Sequence, residues 1–85
     1  MAGNKIEVTL YAGYRGSERP ISFVFEGSKI DVLSVLQIWV EEEHNTRKQR
    51  RYFIVEGSDT YTYKLSHDLE TGEWFFRSRA RNKGN

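Results

Sequence analysis

The chain is predicted to fold as an all-β domain, with five or six antiparallel strands running as a meander that curls into a small barrel. Three observations predict this. Apolar and polar residues alternate with a period of two over several segments, as in half-buried strands. Glycine-bearing turn sequences separate those segments at short intervals. At 85 residues, a meander covers its apolar face only by closing on itself, because a flat sheet would leave one face and two edges bare.

Each element follows from local chemistry. In KIEVTLYA, Ile6, Val8, Leu10 and Ala12 share one face and Glu7, Thr9 and Tyr11 the other, which makes the first strand. GYRGSERP carries two glycines and Pro20. It reads as a loop, since proline lacks an amide donor and disfavours helix in the residue before it. ISFVFE is the second strand, with Ile21, Phe23 and Phe25 toward the core. Gly27 and Ser28 then sit at the spacing of a two-residue hairpin, where glycine supplies a positive φ.

The segment SKIDVLSVLQIWVEEEH supports two readings. Val32, Val35, Leu36, Trp39 and Val40 fall at helical spacing, and Ser28 with Asp31 has the separation of a capping box. Ile30, Val32, Leu36, Ile38 and Val40 also share one face of a strand, broken only by Ser34. The strand is preferred, because the segment is rich in β-branched residues and three glutamates would oppose the dipole at a helix C-terminus. A helix over 31–43, giving an α+β fold, is the alternative. RRYFIVE and TYTYKLSH follow, joined across GSD. DLETGE is a turn closed by Gly72 in the left-handed region, and WFFRS is the last strand. The natural form of such a meander is a partly open barrel of the SH3-like or OB-like kind. Residues 1–79 are expected to form the single domain and 80–85 a disordered tail.

The sequence contains no cysteine, which excludes disulfides and thiolate chemistry and suits a reducing cytoplasm. No segment has the apolar stretch of a secretory leader or of a membrane span, so a cytoplasmic protein with no membrane partner is expected. The formal charge is only +1, yet eight of the thirteen basic residues lie in two runs. Arg47, Lys48, Arg50 and Arg51 form one, directly after Glu41, Glu42 and Glu43. Arg77, Arg79, Arg81 and Lys83 form the other.

LYAGYRGSERPISFVFEG, VLSVLQIW and RRYFIVEGSDTYTYKLSHDLETGEW together carry an ERP, a VL..W, a RYF.V strand and a Y.L.HD..TG.W hairpin. In this pattern, covering roughly positions 6 to 76, the chain resembles a family of small bacterial β proteins. More loosely, its later part is similar to the C-terminal segment of inactive Y-family-polymerase relatives carried in bacterial mutagenesis cassettes, although the polymerase body is missing. The resemblance implies a β fold and transfers no catalytic residue.

No catalytic signature is present. Ser17, Ser28 and Ser58 lie in turns, and His44 and His67 are far apart with no triad motif around either. His44 beside Glu41 to Glu43, and His67 beside Asp68, lack metal-ligand spacing, since neighbours on a strand point to opposite faces. No enzyme activity, cofactor or metal is therefore expected. The remaining readings are binding functions. Arginines beside exposed rings grip phosphates and stack on bases, which nominates Arg47, Lys48, Arg50, Arg51, Arg77 and Arg79, with Tyr52, Tyr61 and Tyr63 as stacking rings. A meander that curls closed would bring the last strand, and with it the second basic run, near the first. The alternative is a protein-interaction module that uses an exposed strand edge and the Tyr/Trp surface.

Overall fold

A computed structural model describes residues 4–11 and 19–82, and contains six strands and no helix among them. They are β1 (Lys5–Tyr11), β2 (Arg19–Phe25), β3 (Ser28–Glu42), β4 (Gln49–Gly57), β5 (Tyr61–Asp68) and β6 (Trp74–Arg81). Each pairs antiparallel with the next, and β1 pairs with β6 to close the barrel. The expected all-β meander is therefore what forms. It closes fully, through Lys5 opposite Phe75 and Ile6 opposite Trp74, where a partly open barrel was expected.

The core is built from alternate residues of neighbouring strands. Phe23, Ile30, Phe53, Val55, Tyr63, Leu65 and Trp74 are buried together, and Phe53 faces Leu65 across β4 and β5 as Val55 faces Tyr63. Aromatic pairs tie the layers. Phe23 meets Tyr63 edge-on at 4.8 Å, and Phe53 meets Trp74 at 5.1 Å. Such pairs contribute about 0.5–1.5 kcal/mol each beyond the area they bury.

Bulges decide which side chains leave the core. Thr9 pairs with Ser22 and Leu10 with Pro20, so Ile21 is the unpaired residue and is turned out to 45% exposure. This corrects the expectation that Ile21 lies inward with Phe23 and Phe25. It also places Arg19 and Pro20 in β2 rather than in the preceding loop. Proline is admitted there because the bulge interrupts the ladder at that point.

On β3, Val32 pairs with Gly57 and Ser34 with Glu56, and then Val35 with Val55 and Gln37 with Ile54. Leu33 and Leu36 are the extra residues. The strand over 28–42 excludes the helical alternative for 31–43. The face predicted for it also changes, because Val35 packs against the core while Leu36 does not.

The β2–β3 turn is Glu26–Gly27, with φ of 51° and 80°, since Ser28 already pairs with Phe25. The expected Gly27–Ser28 turn is thus displaced by one residue. Positive φ at both central positions is the I′ geometry that matches strand twist, and it fixes this register. At the far end β6 continues to Arg81, with Ala80 opposite Thr62 and Arg81 opposite Tyr61. Ala80 and Arg81, expected in a disordered tail, are therefore strand, because β5 supplies their partners. Residues 83–85 lie outside the described residues, as does Ala12.

Gly72 has φ of 81°, as expected, and its amide donates to the Asp68 carbonyl at 2.8 Å. Replacing it with valine is expected to cost about 1–2 kcal/mol through left-handed strain alone, because an added Cβ there meets no atom within 4 Å. Chemical denaturation of Gly72→Val checks this, and a variant as stable as the parent would refute it.

Candidate functional site

The structure separates the two basic runs. Arg50 lies opposite Asp68, at one end of β5, while Arg81 lies opposite Tyr61 at the other. The two ends are seven steps apart along the strand, about 23 Å at roughly 3.3 Å per residue. The runs thus diverge along β5 from their near members, since Arg77 bonds Ser66, next to the residue opposite Arg51.

Arg47 and Lys48 sit at the tip of the β3–β4 hairpin, where Arg47 takes φ of 58° and its amide donates to the Glu43 carbonyl at 2.9 Å. Acidic neighbours share this end. Lys48 Nζ is 4.0 Å from Glu70 and Arg50 Nη1 3.6 Å from Glu43. Arg51 is half-buried opposite His67. At the other end, the Arg79 guanidinium lies 4.2 Å from the Tyr61 ring centre and 5.0 Å from that of Phe25, and donates to the Tyr63 hydroxyl at 3.4 Å. These contacts cap the barrel.

Tyr63 cannot stack on a base. It is fully buried, and its hydroxyl donates to Asp59. Period-two alternation placed it correctly on a face with Tyr61, Leu65 and His67, but that face is the interior. Burial, reinforced by Asp59, raises the Tyr63 phenol above its ordinary value of 10.0.

Of the nominated residues, Arg79 meets Tyr61 and Tyr63 at the end of the barrel, and Tyr52 meets Arg77 on the outer face of the sheet. Tyr52 stacks on Trp39 at 5.4 Å with the rings 12° apart. Lys64 Nζ lies 5.2 Å from Tyr52 and 5.6 Å from Trp39, and the Arg77 guanidinium 5.8 Å from Tyr52. Arg77 is the extra residue of a bulge, since Lys64 pairs with Ser78 and Leu65 with Phe76. Its Nε donates to Ser66 Oγ at 2.9 Å. Trp39 and Lys64 were missed in the sequence. Lys64 was legible as a residue on the polar side of β5, whereas Trp39 shared its signal with a helical face.

A second feature lies beside this row. β2 pairs with β3 only from Ser28 to Asp31, whereas β4 pairs with it from Val32 to Glu42. Among the described residues, the other edge of β3 has no strand partner from Val32 onward. Leu33, Leu36, Ile38 and Val40 are exposed along this stretch, by 67, 51, 45 and 48%. Neither proline nor a charged residue interrupts it between Val32 and Val40. Proline and charge are two devices that ordinarily blunt such an edge and a bulge is a third, which this stretch carries at Leu33 and Leu36.

The β5–β6 turn shows how tightly that end is fixed. Asp68 Oδ1 accepts the amides of Glu70 at 2.8 Å and Thr71 at 3.1 Å. The Thr71 and Glu70 amides, with help from Lys48 and Arg50, hold its carboxyl below the ordinary 3.8. A depressed folded value means that this stabilisation is present above about pH 3.8 and is lost as pH falls through the folded value. Asp68→Ala is expected to lose about 1–2 kcal/mol at neutral pH, and part of the acid dependence with it. Denaturation from pH 7 down to pH 2 checks both, with Asp68→Asn intermediate because it keeps one acceptor.

No family model, characterised relative or solved structure matches the chain. The site is therefore read from its own chemistry. Among the described residues no helix is long and apolar enough to cross a membrane, and no group of three or more His, Cys, Asp or Glu is placed to hold a metal ion.

Proposed function

We propose that the chain is a bacterial, cytoplasmic, non-enzymatic protein-interaction module, which binds a partner strand along the open edge of β3. The observation that carries this reading is the edge itself: eleven residues, Val32 to Glu42, paired among the described residues on one side only, with four exposed aliphatic side chains. Strand addition takes affinity from main-chain hydrogen bonds and specificity from alternate side chains. The serines and histidines support a non-enzymatic role. Ser58 Oγ accepts the Asp31 amide, His67 stacks on Trp74 at 4.2 Å inside the barrel, and Ser28 starts a strand. Ser17 lies outside the described residues.

The Trp39–Tyr52 row with Lys64 and Arg77 favours a second reading, single-stranded nucleic acid stacked on the outer face. Salt separates the two. Two phosphate contacts would give a log-log salt slope of about −1.4, from roughly −0.7 each, whereas strand addition is nearly insensitive to salt.

The test is capture of partners from native cytoplasm by the parent and by Ile38→Lys, with and without nuclease. A protein retained through nuclease and high salt by the parent, and lost with Ile38→Lys, is the expected result. A partner released by nuclease or by salt would overturn the reading in favour of the outer face, and a parent that captures nothing would overturn both.

A further inference from the structure

We propose that the outer face of the sheet is a one-nucleotide site, in which Lys64 and Arg77 share a single phosphate and the base lies on the Trp39–Tyr52 pair. The inference rests on the outer-face reading and narrows it to one phosphate. It does not depend on strand docking at β3.

An unbroken ladder places the site. β4 and β5 pair without a register shift from Arg50 opposite Asp68 to Glu56 opposite Thr62, so alternate residues share a face. Phe53, Val55, Tyr63 and Leu65 are core. Arg50, Tyr52, Ile54 and Glu56 therefore lie on the outer side, with Asp68, Ser66, Lys64 and Thr62 opposite them. Trp39 joins this face by stacking on Tyr52, and Arg77 by its bond to Ser66.

Two cations without ion-pair partners meet at one ring. The Lys64 ammonium and the Arg77 guanidinium lie 5.2 and 5.8 Å from the centre of Tyr52. Neither forms an ion pair among the described residues. Arg77 is steadied through Nε, which leaves its terminal nitrogens for the charge-assisted bonds that a guanidinium makes to phosphate. Lys64 is a point charge on a flexible stem, and its ammonium lies over both rings of the pair. A phosphate that draws the ammonium aside frees ring surface beneath it for a base. Phosphate and base then bind better joined than apart, on the rings and cations that nucleic-acid stacking uses.

Acid at both ends limits the footprint. Beyond Ile54 on this face stands Glu56, which accepts the Ser34 hydroxyl at 3.2 Å. Beyond Tyr52 stands Arg50, set between Glu41 and Asp68 and 3.6 Å from Glu43. A strand running along the sheet would lay its next phosphates against these carboxylates. Between them, Lys64 and Arg77 are the one cation pair at the rings, which suits one phosphate.

Fluorescence titration with adenosine 5′-monophosphate tests this, since Trp39 is partly exposed and Trp74 is buried in the core. The nucleotide is expected to quench the parent and leave Trp39→Phe unchanged. Adenosine and inorganic phosphate are each expected to bind at least tenfold more weakly than the nucleotide. Lys64→Gln and Arg77→Gln should each raise the dissociation constant at least tenfold, with thermal melting of Lys64→Gln parent-like. Thymidine oligonucleotides of two to eight units should bind with a log-log salt slope of about −0.7 at every length, the value for one phosphate. A preference for the oligonucleotide or for the free nucleotide, at that same slope, identifies the source and upholds the site.

Adenosine binding as well as its monophosphate overturns the proposal, as does nucleotide binding indifferent to Lys64→Gln. A slope that reaches about −1.4 and steepens with length overturns the single-phosphate footprint and leaves the outer-face strand reading standing. A parent that binds neither nucleotide nor oligonucleotide at low salt overturns both.

Discussion

Phe23→Ala is expected to lower the unfolding free energy by about 3–5 kcal/mol, the usual loss when a buried phenylalanine is truncated. A domain of this length has only about 4–13 kcal/mol in total, so the variant should lose a large share of its stability. Phe23 is 1% exposed and meets Tyr63 edge-on at 4.8 Å. It couples β2 to the β4–β5 layer, in a barrel whose β1–β6 seam has two register pairs among the described residues. With so short a seam, loss of this contact removes much of what keeps β1 and β2 on the rest of the sheet. Urea denaturation followed by tryptophan fluorescence measures the effect, and a loss under about 1 kcal/mol, typical of surface positions rather than core ones, would show that the ring is not part of the core.

Gly57→Ala is expected to cost toward the upper end of the 1–3 kcal/mol typical of overpacking. A Cβ at Gly57 would lie 2.8 Å from Asp59 Oδ1, 2.9 Å from Ile30 Cγ2 and 3.0 Å from Tyr63 Cε1. Ile30 and Tyr63 are both buried in the core and have no free space to retreat into. Asp59 is held by accepting the Tyr63 hydroxyl and the Tyr61 amide, so its displacement would leave a buried phenol without its acceptor. The same denaturation experiment reports the cost. Parent-like stability would mean that β4 shifts freely at its end, against the register in which Gly57 faces Val32.

Much of the architecture was legible in the sequence because its rules are local. Alternation in TYTYKLSH put Tyr63, Leu65 and His67 on one face, and all three are buried. The glycines of the β2–β3 and β5–β6 turns marked chain reversals, since a positive φ is a property of the residue and its two neighbours. The candidate site was far less legible. Tyr52 and Arg77 were nominated for one site and lie close together, as do Arg79 and Tyr63, but Tyr63 is buried and Arg47 and Lys48 sit at the tip of the β3–β4 hairpin.

The helix-or-strand ambiguity of β3 shows where local rules stop. Val32, Val35 and Ile38 are three residues apart, as on a helix, because each bulge, at Leu33 and at Leu36, adds one residue to a step of two. An isolated sequence cannot distinguish a period of three made by helical turns from one made by a bulged ladder. The distinction comes from the facing strand, since Gly57, Val55 and Phe53 on β4 take up Val32, Val35 and Ile38 and leave the two leucines outside. By itself, then, the sequence determined an antiparallel meander of five or six strands and the approximate places of its turns, with 31–43 open between strand and helix. Only the tertiary structure decided the bulges, the distance between the basic runs and the open edge of β3, because each depends on pairing between residues remote in the chain.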